Sequence, residues 1–173
     1  PMTKVRKTKP EDFSKIVPLL EEFDNANINR SDWEGIFAYD WNKDKSMVGF
    51  HLEDQGTIGG YLGGIFSKRL VNGRSENFCN ITSWIVREDY RNHSLSLLLE
   101  LLAIENHTFT NFSATPDVRK VLGRLGFLEL ESGFRIIFPS FKVLNFFSFP
   151  RKVTISGNIE YIRNHLSDES LRV

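Results

Sequence analysis

Phe13, Ile16, Val17, Leu20 and Phe23 recur at the spacing of one helical face, directly after Pro10-Glu11-Asp12. Proline and acids in a first turn are a usual helix opening, and a short strand at 5–7 precedes it. Residues 25–39 are polar and aromatic and read as a loop with a short second helix carrying Trp33, Ile36 and Phe37. The period then changes. Strands are expected at 47–53, 57–69 and 76–86, joined by Asp54-Gln55-Gly56 and Asn72-Gly73, whose turn chemistry makes an antiparallel meander. Gly59, Gly60, Gly63 and Gly64 weaken the middle strand or mark a bulge in it. Residues 95–104 are apolar nearly all round and predict a helix buried against the sheet. A strand at 108–114 and a helix at 116–125, stopped by Gly126, follow. Residues 127–131 and 134–138 form a closing hairpin over Ser132-Gly133. The order β-α-α-β-β-β-α-β-α-β-β is a mixed α/β layer structure with one crossover.

Phe141, Phe146, Phe147 and Phe149 then crowd a stretch between Pro139 and Pro150. This Phe-rich tail can cover the sheet, form a homodimer face or touch lipid, and covering the sheet is the expectation because large exposed apolar patches are unusual. A domain over 1–138 and an extension over 139–173 packing on it are therefore expected. Ser167-Asp168-Glu169 reads as a helix start left incomplete, so a longer native chain is one reading.

Composition narrows the function classes. Apolar residues make up 40% and charged ones 25%, ordinary values for a globular protein. Lys+Arg and Asp+Glu both total 22, so no global field favours nucleic acid or an anionic membrane. No apolar run has the length of a membrane span. The lone Cys79 cannot form an internal disulfide, and a reducing cytoplasm is the natural compartment. No His/Cys/Asp spacing suggests a metal. Charge is uneven, however: 11 acids face four bases between Glu11 and Asp54, while 132–159 has no acid. Two solvated faces of opposite sign explain this; so does an acidic lip for an amine beside a basic region near an anion.

The junction "IVREDYRNHSLSLLLE", 85–100, carries the chemistry. A strand stopping at Val86, a polar turn and a helix starting near Ser94 present free backbone N–H groups and a helix dipole, which suit a diphosphate. Arg91 adds a cation able to grip phosphate oxygens in pairs. Ser94 alternatively only caps a core helix.

Residues 81–100, with Gly126-Phe127, resemble the GCN5-related N-acetyltransferase (GNAT) superfamily, whose loop signature is R/Q-x-x-G-x-G/A. The resemblance covers roughly 4–138 and implies a mixed, mostly antiparallel sheet flanked by helices, with splayed fourth and fifth strands. It also implies acetyl-coenzyme A, or another acyl-coenzyme A, as co-substrate. Arg91-Asn92-His93-Ser94-Leu95-Ser96 keeps the arginine and the spacing but puts serine at both glycine positions. Serine leaves the backbone N–H groups available, and its hydroxyl can cap the helix. The pantetheine arm would pair with backbone of Trp84, Ile85 and Val86, opposite Asn111 and Ser113.

The family's usual catalytic side chains are replaced. The position of its glutamate base is Thr82, next to Ser83, and that of its tyrosine acid is Leu122. Substitutes are His51 and Glu53 on one strand face, and His93 as a cation in the loop; each also reads as a solvated surface residue. Tyr39 and Tyr61 can donate a proton but have no fixed place. Cys79 alternates with Ile81 and Ile85, so core packing outweighs a nucleophile. Trp33, Phe37 and Trp41 fall where the family walls its acceptor pocket, although core packing explains them equally.

The resemblance therefore implies a cytoplasmic acyl-coenzyme A-dependent N-acyltransferase, acetyl in the first instance, acting on a small-molecule or peptide amine. The opposing reading is an inactive coenzyme-binding sensor or protein-interaction module.

Overall fold

The computed structural model describes residues 3–22, 28–42 and 46–130. Two compact units divide the chain, Pro1–Pro116 and Asp117–Val173, and the first holds the whole sheet.

Within it run β1 (Lys4–Thr8), a 3₁₀ turn (Pro10–Asp12), α1 (Phe13–Leu20), α2 (Arg30–Ala38), β2 (Gly49–Asp54), β3 (Thr57–Val71), β4 (Arg74–Val86), a 3₁₀ helix (Glu88–His93), α3 (Ser94–Leu102) and β5 (His107–Thr110). The strands lie in the order β1-β2-β3-β4-β5. The first four are antiparallel neighbours, and β5 joins β4 in parallel through the α3 crossover. Both meander turns have two successive residues at positive φ, Gln55 (49°) and Gly56 (84°), then Asn72 (51°) and Gly73 (75°). That backbone matches the twist of the strands it joins, which is why Gln-Gly and Asn-Gly serve here.

One sheet face meets α1 and α2. Ile16, Leu19, Leu20, Trp33, Phe37, Tyr39, Val48 and Tyr61 form a single buried cluster there, with Phe37 and Tyr61 stacked at 5.7 Å. Asn29 caps α2 by accepting the N–H groups of Ser31 and Asp32, while Asp32 accepts that of Asn29. On the opposite face α3 packs across β1, β2 and β3. Leu97, Leu98 and Leu101 are buried, whereas Leu95 and Leu99 are about half exposed, so α3 is not apolar-covered all round.

β3 outruns β2, whose pairing with it stops at Gly49–Gly63. The backbone of Phe66, on that uncovered edge, is satisfied by aromatic side chains. Its N–H donates to the Tyr39 hydroxyl at 3.1 Å, and its carbonyl accepts the Trp41 indole N–H at 3.3 Å. The two rings stack at 4.4 Å. Side chains thus blunt a strand edge that would otherwise present unpaired groups.

Two expectations change. The strand expected at 108–114 spans His107–Thr110, because Asn111 Oδ1 accepts the Ser113 N–H and turns the chain locally. Residues 127–130 are not a strand. The rest of that closing hairpin and the Phe-rich tail lie outside the described residues. α4 (Pro116–Arg124), which but for Pro116 lies in the second unit, is followed by Gly126, whose φ of 90° lets Phe127 N–H return to the Leu122 carbonyl.

Candidate functional site

β4 and β5 pair only from Asn77–His107 to Asn80–Thr110. The Thr110 hydroxyl donates to Asn80 Oδ1 at 3.3 Å across the last rung. Beyond it β4 continues to Val86 with β3 as its only strand neighbour among the described residues. The fourth and fifth strands therefore splay, and the edge of β4 from Ile81 to Val86 faces the opening.

A bulge shapes that edge. Gly63 pairs with Thr82 and Tyr61 with Ile85, so Ser83 and Trp84 together oppose the single residue Leu62. Ser83 takes φ of 52°, a left-handed conformation uncommon outside glycine, asparagine and aspartate. Such a bulge re-aims the peptide groups beside it. The Trp84 indole nitrogen is buried without a hydrogen-bond partner.

Past Val86 the expected polar turn is a 3₁₀ helix running directly into α3. Here the structure corrects the anticipated cap. Ser94 is the first residue of α3, its side chain caps nothing, and its N–H donates to the Arg91 carbonyl. The Ser96 hydroxyl donates backwards to the His93 carbonyl at 2.6 Å. One amide of the anticipated cradle is thus already engaged. Arg91 is exposed and paired with Glu88 at 3.0 Å; Asn92 is exposed, and His93 precedes α3 as its N-cap residue. Trp84, Ile85 and Val86 lie on the splayed edge as anticipated, whereas Asn111 and Ser113 belong to the turn after β5.

The candidate catalytic groups fall in two places. Thr82 and Ser83 sit at the bulge with their hydroxyls 3.2 Å apart. His51 and Glu53 sit on β2, two strands away, and are not the solvated pair expected. His51 is buried, its Nδ1 2.8 Å from the Thr8 hydroxyl and its Nε2 3.8 Å from Glu53, which itself pairs with Arg6 at 3.0 Å. Burial holds the His51 imidazole below its ordinary pKa against the opposing pull of Asp12 and Glu53.

Tyr39 and Tyr61 are buried and poor acids. Burial raises both, while the Tyr61 hydroxyl donates to the Val48 carbonyl at 2.8 Å. Burial pushes the Cys79 thiol up to about 12, so it packs as an apolar group. Leu122 is buried. Of the aromatic trio, Trp33 and Phe37 are core, and Trp41 stacks on Tyr39, a member of the same cluster, with 59% of its surface exposed.

Sequence reasoning missed Arg87. Its guanidinium binds Glu22 at the end of α1 with Nε (3.0 and 3.3 Å) and Nη2 (2.5 Å), and donates to the Ile58 carbonyl at 2.9 Å. The available signal was only an arginine just past a strand end. A cavity of about 250 Å³ lined by Asn42, Met47, Phe66, Lys68, Asn77 and His107 lies at the other end of the β4–β5 pair, away from the splay. Among the described residues there is no group of three or more His, Cys, Asp or Glu suited to a metal, and no helix is long and apolar enough to cross a membrane.

The sequence matches no protein-family model and no curated protein. Solved structures do match. A Trypanosoma brucei acetyltransferase is 18% identical with a TM-score of 0.58, over 79% of this chain and 100% of that one. A predicted acetyltransferase from Clostridium acetobutylicum, solved with acetyl-CoA, is 17% identical with a TM-score of 0.57, over 79% and 96%. A ribosomal-protein-alanine N-acetyltransferase from Brucella melitensis is 15% identical with a TM-score of 0.54, over 80% and 100%. With its antiparallel meander, α3 crossover and splayed β4 and β5, this chain has the fold of the GCN5-related N-acetyltransferase superfamily.

Proposed function

We propose that the chain is a divergent acyltransferase of this superfamily, moving an acyl group, acetyl in the first instance, from coenzyme A to a small-molecule or peptide amine in the cytoplasm. The observation that carries the reading is the bulged edge of β4, left by β5 beyond Asn80 and followed after Val86 by the 3₁₀ helix that runs into α3. Trp84, Ile85 and Val86 would hold the pantetheine arm through their backbone, in the manner of an added strand. The run Arg91-Asn92-His93-Ser94-Leu95-Ser96 would meet the pyrophosphate, with Arg91 exchanging Glu88 for a phosphate oxygen. The fit is good at the strand edge and reduced in the loop, where Ser94 N–H is engaged. Bound coenzyme supplies the acyl group as an activated thioester.

Among the chain's own groups, an amide beside the Ser83 bulge would polarise the thioester carbonyl, and the Thr82–Ser83 hydroxyl pair would pass the amine proton to water. A hydroxyl is no base at neutral pH, so catalysis would rest largely on positioning. In this reading residues 1–138 form the transferase domain and 139–173 extend it.

A second reading, a coenzyme-binding sensor or interaction module without chemistry, is favoured by Thr82 and Leu122 at the usual catalytic positions. Titration with acetyl-coenzyme A, followed by thermal shift, tests both. At a hundredfold excess over Kd a ligand stabilises by roughly 2.7 kcal/mol. No shift at millimolar ligand would overturn the enzyme and the coenzyme-sensor readings and leave only the interaction module. Once binding is seen, thiol release with a panel of amines separates enzyme from sensor. Arg91→Ala is expected to weaken coenzyme binding more than Cys79→Ala.

A further inference from the structure

The 3₁₀ helix Glu88–His93 has no buried residue of its own, so something outside it must set its orientation. Two anchors do so, and both reach β3. The first is Arg87, the residue before it. Its N–H donates to the Gly59 carbonyl at 2.9 Å, its Nη1 to the Ile58 carbonyl, and the rest of its guanidinium grips Glu22. The second is Tyr90, whose N–H returns to the Arg87 carbonyl at 2.9 Å and whose ring lies flat on Gly59. A methyl on Gly59 would stand 2.4–2.6 Å from three atoms of that ring, far inside contact distance.

Gly59 is also the extra residue of a β3 bulge, because Leu52 pairs with Gly60 and Glu53 with Ile58. The bulge, the missing side chain, the ring and the ion pair meet where β4 gives way to the loop. Glu22 reaches this point from the end of α1, on the other flank of the same junction.

We propose that Glu22, Arg87, Tyr90 and Gly59 form a brace that positions the loop meeting the coenzyme's pyrophosphate, with Arg87 acting as a positioning residue rather than a phosphate ligand. This rests on the coenzyme reading above. A bidentate fork plus a carbonyl contact explains arginine at 87: lysine would keep the charge but not the three-point geometry.

The test is calorimetric titration of the full chain with coenzyme A and, in competition, with pantetheine, which lacks the pyrophosphate. Glu22→Gln breaks the exposed side of the brace, Gly59→Ala displaces Tyr90, and Arg87→Lys removes the fork. Each is expected to weaken coenzyme A binding about fivefold while pantetheine affinity stays within about twofold. Arg6→Gln, which breaks an ion pair of similar exposure at the β1–β2 edge, is the control and leaves both unchanged. Circular dichroism and melting verify folding, and Glu22→Gln carries the test if Gly59→Ala does not fold. Wild-type-like coenzyme affinity in folded Glu22→Gln and Arg87→Lys overturns the brace alone. So does an equal loss for pantetheine, which would mark general loosening. Failure of the unaltered chain to bind coenzyme A overturns the coenzyme reading, and the brace falls with it.

Discussion

The hydroxyls of Thr82 and Ser83 meet at 3.2 Å although the two residues are adjacent in one strand. In a regular strand adjacent side chains leave opposite faces. The left-handed backbone of Ser83, inside the bulge against Leu62, is what turns them together.

If that pair relays a proton, Ser83→Gly is an informative change, since glycine suits φ of 52° while the hydroxymethyl group is removed. Ser83→Gly and the near-isosteric Thr82→Val are each expected to lower kcat about tenfold or more with coenzyme Kd unchanged. Steady-state thiol release beside calorimetry measures both; undiminished turnover in the double variant excludes the relay.

His51 predicts a pH dependence of stability. Its folded pKa lies below its ordinary value of 6.5, so the folded state holds the neutral imidazole while the unfolded chain takes up a proton. The contribution is present above about pH 6.5 and is lost as pH falls toward the depressed folded value. Urea midpoints from pH 8 to 5 should fall more steeply for the native chain than for His51→Gln. Parallel profiles would show that another group dominates.

Cys79 is expected to be inert. With its thiol held up to about 12 and fully buried, reaction with a disulfide reagent at pH 8 should be slow in buffer and fast in denaturant. Rapid labelling of the folded chain would place the thiol at the surface.

The aromatic cover of the β3 edge also has a measurable cost of removal. Tyr39→Phe leaves the buried Phe66 N–H without its acceptor and is expected to destabilise by about 1–3 kcal/mol. Trp41→Phe loses a weaker bond on an exposed ring and should cost less. Chemical denaturation ranks the two, and the reverse order would refute this account of the edge.

Much of this architecture was legible because local chemistry enforced it. Asn72-Gly73 and Gln55-Gly56 demand hairpins, and the stripe Ile16, Val17 and Leu20 demands a buried helix face. The bulge at Ser83 was not legible, since nothing in Thr-Ser-Trp singles out a left-handed serine; long-range pairing with Gly63 and Tyr61 imposes it. His51 looked like a surface residue because its partner, Thr8, is far off in sequence and adjacent only through β1–β2 pairing. Trp33 and Phe37 were equally compatible with a pocket and a core; both are buried in one cluster with Tyr61, on which Phe37 stacks. Arg87 went unnoticed because Glu22 and Ile58 define its role, and neither is near it in the chain.

The short parallel contact between β4 and β5 bears on the order in which the molecule assembles. β3 and β4 close over a two-residue turn at little entropic cost, whereas β5 reaches β4 only after the whole α3 connection has been ordered. The opening that would receive a ligand is therefore completed late and held by few rungs. Amide exchange should find it opening well before the hairpin does, and a ligand bridging the gap would slow that exchange most.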